Sequence, residues 1–140
     1  MPYRFDFDST HHVLCCTFKR RVTDEELRQF LCDAPRVVER TNPRAAIINF
    51  RHVKEFHVTG GAMRAMARCD PPMPNMTQPR FIVAPADLIF GMSRIYQLTG
   101  ETTRPKLRVV RTRQEALSAI GVKDPNFTKV PEEHSGIPAP

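Results

Sequence analysis

Residues 81–98 read FIVAPADLIFGMSRIYQL, an apolar run, a proline, and then a helix whose apolar arc is wider than one buried stripe needs. The run at 81–84 has the length and composition of a buried strand, and Pro85 closes it because the residue before a proline is pushed toward extended geometry. A helix begins near Asp87. Leu88, Met92 and Ile95 share one of its faces, and Ile89, Phe90 and Tyr96 carry the apolar arc further round. A strand that feeds such a helix is the building unit of an α/β layer, and the surplus apolar surface predicts a contact beyond the sheet.

The flanking sequence repeats the unit. Residues 107–110 form a strand with Lys106 and Arg108 on one side and Leu107 and Val109 on the other, as at a sheet edge. Thr112 caps a helix with Ala116, Leu117 and Ile120 inward, and Gly121 stops it. Upstream, DPPMPNMTQP at 70–79 holds four prolines and two methionines and reads as irregular chain. Before it, Val58, Thr59, Gly60 and Gly61 open a helix with Ala62, Met63, Met66 and Ala67 on one face and Arg64 and Arg68 on another. AAIINF at 45–50 is a continuous apolar run typical of a central strand covered on both faces, and a loop through His52, Phe56 and His57 follows it.

Toward the N-terminus, TDEE at 23–26 is a capping box opening an amphipathic helix with Leu27, Phe30 and Leu31 inward. Pro35 interrupts this helix, Asp33 recaps a second section through Val37 and Val38, and Asn42 and Pro43 end it. Residues 3–8 and 12–18 alternate apolar and polar and form a hairpin. Its second strand points Leu14, Cys16 and Phe18 one way and Val13, Cys15 and Thr17 the other, which makes Cys16 the expected core residue. The order strand, strand, helix, then three strand–helix units predicts one α/β domain over residues 1–121. Its sheet is mainly parallel with an antiparallel N-terminal hairpin. The Pro-rich stretch 122–140 lacks periodicity and is expected to be a flexible tail or an arm lying on the domain.

A chain of 140 residues with 41% hydrophobic content buries one core. No run reaches the roughly 18 apolar residues that span a bilayer, and the start, MPYRFDFDST, has no signal-peptide character, so a cytoplasmic protein is expected. Cys15, Cys16, Cys32 and Cys69 form no CxxC pair and His11, His12, His52, His57 and His134 no helical i,i+4 pair. No metal, cofactor or catalytic residue is therefore assigned. The net charge of +6, from 16 Arg and 5 Lys, is scattered apart from Lys19, Arg20 and Arg21 and reads as a solvated basic face rather than a nucleic-acid interface.

Ala46, Ile47, Ile48, Asn49 and Phe50 leading to Val53 and Phe56, the Thr59, Gly60, Gly61 helix start, and VAPADLIFGMSRIYQL at 83–98 followed by 107–111 together resemble the SpoIIAA-like family. This is a bacterial STAS/SEC14-type group of small domains. The resemblance covers about residues 3–121 and is strongest at Ala84 to Leu88, Phe90, Gly91, Arg94, Ile95 and Tyr96. It implies a sheet carrying helices and no enzymatic activity. It also implies protein interaction, as in STAS regulators, or lipid or other apolar ligand binding, as in SEC14-like relatives. In STAS anti-sigma-factor antagonists a hydroxyl in an Asp-Ser-Ser/Thr-Gly sequence at a helix start is phosphorylated by a partner kinase. The matching residues are Val58, Thr59, Gly60 and Gly61, of which Thr59 keeps the hydroxyl.

Two surfaces are therefore expected. Thr59, Gly60 and Gly61 leave free N–H groups at a helix start, suited to an anion or a phosphorylated hydroxyl, with a simple N-cap as the plainer reading. Ile89, Phe90, Met92 and Tyr96 would pack against a second copy in a homodimer. Alternatively this arc and Met63, Met66, Met73 and Met76 would line a groove for a small apolar molecule. The few polar groups near the arc, Ser93, Tyr96 and Gln97, favour the protein interface.

Overall fold

The computed structural model describes residues 3–131. In chain order they form β1 (Tyr3–Asp8), β2 (Val13–Thr23), α1 (Asp24–Thr41), β3 (Ala45–His57), α2 (Gly60–Ala67), β4 (Arg80–Val83), α3 (Asp87–Thr99), β5 (Leu107–Val110), α4 (Arg113–Ile120) and β6 (Thr128–Lys129). The strands make one sheet in the order β5-β4-β3-β2-β1-β6. The pairs from β5 through β2 are parallel, and β1 is antiparallel to both β2 and β6.

Strand pleating divides the interior in two. On one face Cys16, Phe18, Phe50, Ile82 and Leu107 pack under α1, α2 and α3, where Leu27, Phe30, Met63, Met66, Ile89 and Tyr96 meet them. On the other, Val13, Cys15, Ile47, Phe81 and Val83 pack with Ala116, Leu117 and Ile120 of α4. The neighbouring cysteines do point opposite ways, but both are buried, each in its own core layer. Burial pushes the Cys15 thiol up to about 11 and the Cys16 thiol well above its usual range, so both stay neutral thiols.

Two expectations change. The stretch 51–57, read as a loop, is the continuation of β3, which runs beside β2 as far as the Thr23↔His57 pair. Register shifts between Thr17 and Lys19 and between Arg20 and Arg21 place extra β3 residues in the ladder. The inward residues Phe50, Val53 and Phe56 therefore recur every third position, and the alternation that marks a strand is absent. Pro35 does not interrupt α1, which is one helix of 18 residues. The ring faces solvent, and burial of Phe30, Ala34 and Val37 around it outweighs the lost hydrogen bond.

The packed unit also continues past Gly121. Val122 is buried, Phe127 packs against the α4 layer, and β6 pairs with β1. Residues 122–131 are thus an arm on the domain, held by backbone pairing that composition does not announce. Residues 132–140, His134 among them, lie outside the described residues. In α3, Ile89 and Tyr96, expected to meet a second copy, lie in the buried row, as described next.

Candidate functional site

Thr59 sits where β3 turns into α2, in extended geometry, with its Oγ1 accepting the Ala62 amide at 3.1 Å. It is an N-cap, and an exposed one. Its own amide donates to Asp24 Oδ1 at 3.4 Å, which brings the starts of α1 and α2 side by side because β2 and β3 end in register. The first turn of α2 contains no acidic residue. A Cβ at Gly60 would lie 3.5 Å from Arg64 Nη1 and 3.7 Å from Ile95 Cδ1, so the Arg64 guanidinium lies back over the helix start. A cation there opposes the helix dipole. The cluster is one in which an added anion would be stabilised by the free amides, the dipole and Arg64 together.

Along α3 the buried row is Ile89, Ser93 and Tyr96, spaced i, i+4, i+7. Leu88, Met92 and Ile95, read as sharing one face with Met92 part of the expected contact, form the adjacent outer row, with Leu88 63% exposed and the other two half-buried. Both rows are apolar enough to be the core face, and the docking of α3 against α2 and β5 selects between them by one residue of helix rotation, about 100°. Ile89 and Tyr96, and likewise Met63 and Met66, are interior and present no free face to a second copy. Phe90 is half-buried beneath Arg111, whose guanidinium carbon is 3.9 Å from the ring centroid. What remains outward is Leu88, Gly91 with open space around it, and Leu98, with the half-buried Met92 and Ile95 beside them, and Ile95 joins this strip to Gly60.

Between α1 and the 70–79 loop a narrow groove of about 70 Å³ runs over the sheet, lined among others by Phe5, Leu14, Val38, Ala46, Ile48 and Met73. Arg80 and Arg104 lie at its end, both buried, with no carboxylate ion pair among the described residues. They are held by carbonyls instead. Arg80 donates to Met73 O at 2.8 Å and Asn75 O at 2.6 Å, and Arg104 to Ala67 O at 2.7 Å and Cys69 O at 2.9 Å. Arg104 thereby caps the C-terminal end of α2, where a cation is favoured, and stacks 4.9 Å over Tyr96. Burial and the neighbouring Arg104 charge lower the Arg80 pKa, while burial raises that of the Tyr96 phenol. Met63 and Met66 line a second, smaller space of about 30 Å³ with Phe18, Phe30 and Phe50.

Sequence reading missed Arg64, Asp24 and the two carbonyl-bound arginines. An arginine in a helix whose first turn lacks an acid was a signal for the first; the others follow only from tertiary contacts. It also missed the partners of two histidines. His11 Nδ1 lies 2.8 Å from the buried Asp8 carboxylate, and His57 Nε2 3.4 Å from Glu55. Among the described residues no three His, Cys, Asp or Glu side chains are grouped to hold a metal ion, and no helix is long and apolar enough to cross a membrane.

This arrangement of sheet and helices is the STAS fold of SpoIIAA. The Bacillus cell fate determinant SpoIIAA in its phosphorylated form superposes with a TM-score of 0.54 at 14% identity, over 84% of this chain and 98% of that one. The unphosphorylated anti-sigma factor antagonist SpoIIAA gives 0.56 at 12% identity, over 87% and 99%. No family model and no curated protein matches the sequence.

Proposed function

We propose that this chain is a non-enzymatic regulatory module of the cytoplasm that works by binding another protein, and that its contact face is the start of α2 with the outer strip of α3. The observation that carries this reading is the exposed Thr59 hydroxyl at a helix start flanked by Arg64 and continuous, through Gly60 and Ile95, with Met92 and Leu88. A polar switch point beside a small apolar strip is the composition of a transient protein interface. Phosphorylation of Thr59 would add charge where the dipole and Arg64 favour it, and would repel Asp24 from the Thr59 amide. The anti-sigma factor antagonist SpoIIAA, known in phosphorylated and unphosphorylated forms, supports the analogy through its fold.

Self-association is one use of the same face, through the row Leu88, Met92 and Ile95 rather than through Ile89 and Tyr96. A carrier role for a small apolar molecule is favoured by a separate observation, the groove beneath α1 with its almost wholly apolar wall.

Native mass spectrometry of the full chain from its own host tests these together. A phosphate adduct absent from Thr59→Ala supports the switch, and a dimer lost in Leu88→Glu supports self-association. An apolar adduct on an unphosphorylated monomer would replace the interaction reading with the carrier.

A further inference from the structure

β2 and β3 outrun the rest of the sheet. Among the described residues β4 pairs with β3 as far as Val83↔Asn49, and β1 pairs with β2 as far as Tyr3↔Phe18. From Lys19 to Thr23 and from Arg51 to His57 the two strands have only each other among the described residues, so a two-stranded parallel ribbon projects from the sheet. Beyond Asn49, the side of β3 that faced β4 carries no partner strand among the described residues. Asn49 Oδ1 accepts the Arg51 amide at 2.9 Å, which closes the pairing with β4, and Pro85 then leads the chain away into α3.

The ribbon is densely basic. Lys19, Arg20, Arg21, Arg51 and Lys54 are all exposed, and none has a carboxylate within ion-pair distance among the described residues. Of the acids nearby, Glu55 lies 3.4 Å from His57, Glu25 pairs with Arg28, Asp24 accepts the Thr59 amide, and Glu26 is partly buried and makes no ion pair among the described residues. Arg20 has a φ of 62°, a left-handed conformation that a non-glycine residue holds at a cost, and it lies between the two register shifts. Phe56 and Val53, half-buried along the same ribbon, pack inward on the core and anchor it there.

Bulges and charges on an edge strand keep like edges apart, and here they would repel a second copy of the ribbon. The same five cations select for the opposite charge. We infer that the free edge of β3 from Arg51 to His57 is a docking site for an extended acidic segment of a partner protein. The segment adds as a strand through its backbone and is chosen by Lys19, Arg21, Arg51 and Lys54. This surface is separate from the Thr59 face and does not depend on the reading given to it.

The probe is a fluorescein-labelled ten-residue peptide alternating Glu and Val, titrated with the full chain by fluorescence anisotropy. Its controls are a Lys–Val peptide and a peptide of equal charge with proline at every third position. Binding of the Glu–Val peptide with a Kd in the micromolar range is expected, together with new amide-exchange protection confined to residues 51–57. The charge-reversal variant Arg51→Glu/Lys54→Glu, checked for folding by circular dichroism, should weaken binding at least tenfold. Lys19→Glu/Arg21→Glu gives an independent second test of the same charges. Absence of binding at low ionic strength overturns the proposal, as does equal affinity for the proline peptide, which would mean charge without strand addition. Tighter binding of a duplex DNA of matched charge overturns it in favour of a nucleic-acid surface.

Discussion

Arg111, one residue beyond β5, lies over the ring of Phe90 in the first turn of α3 at 3.9 Å. The same guanidinium donates to Asp87 Oδ1 at 2.7 Å and to the Pro85 carbonyl at 3.1 Å. One arginine therefore ties the exit of the sheet's edge strand to the start of the helix that the opening segment of sequence predicts.

Because the Asp87 side chain is almost fully solvated, the ring contact rather than the ion pair should carry the energy. Arg111→Ala is expected to lose about 1 kcal/mol in urea unfolding and Asp87→Asn close to nothing. An Arg111–Phe90 double-mutant cycle with no coupling would refute the assignment.

Rotation of α3 is tested by neighbouring substitutions. Ile89→Ala should destabilise by about 2–4 kcal/mol, whereas Leu88→Glu should stay within about 0.5 kcal/mol of the parent. The reverse ranking would put the row of Leu88, Met92 and Ile95 inward instead.

Ser93 is fully buried and its Oγ has no hydrogen-bond partner among the described residues. Removing an unpaired buried hydroxyl relieves its desolvation, so Ser93→Ala should raise stability by about 1 kcal/mol. A loss of similar size would show that the hydroxyl does have a partner.

Arg104 supplies two carbonyls at the end of α2 with donors while fully enclosed. Arg104→Ala leaves those carbonyls unpaired and should cost about 3 kcal/mol, and Arg104→Lys, which lacks the fork, should recover only part of it. Thermal melts of the two variants decide this, and a lysine variant as stable as the parent would remove the fork from the argument.

Asp8 is the acid-sensitive point of the fold. Burial alone would raise its pKa, but the amides of Asn126 and His11 and the His11 ring together hold it below its usual value. A carboxylate whose folded pKa is depressed contributes stability that is complete above its unfolded value, about 3.9, and that is lost as pH falls through the folded value. Asp8→Asn should therefore be less stable at pH 7 by about 2 kcal/mol and should flatten the acid limb of the stability curve. Amide exchange in residues 122–131 should rise first, because Asn126 is the arm's link to that carboxylate. An unchanged acid limb in the variant would locate the sensitivity elsewhere.

The sequence by itself determined the elements whose periodicity is local: the apolar strands at 45–50 and 81–84, the capped helices after Thr23, Thr59 and Thr112, and hence the α/β order and its resemblance to SpoIIAA. It also placed Thr59 at a helix start, because a hydroxyl before two glycines carries that meaning without tertiary help. Tertiary structure decided what depends on a choice between locally equal options. Either apolar row of α3 could face inward, and docking on α2 and β5 chose Ile89, Ser93 and Tyr96. Phe50, Val53 and Phe56 recur every third residue because bulges break the two-residue period, so only pairing with β2 reveals a strand there. Pro35 stays within α1, and Phe127 joins the core, because the burial that outweighs a missing hydrogen bond or an ordered arm is supplied by residues distant in the chain.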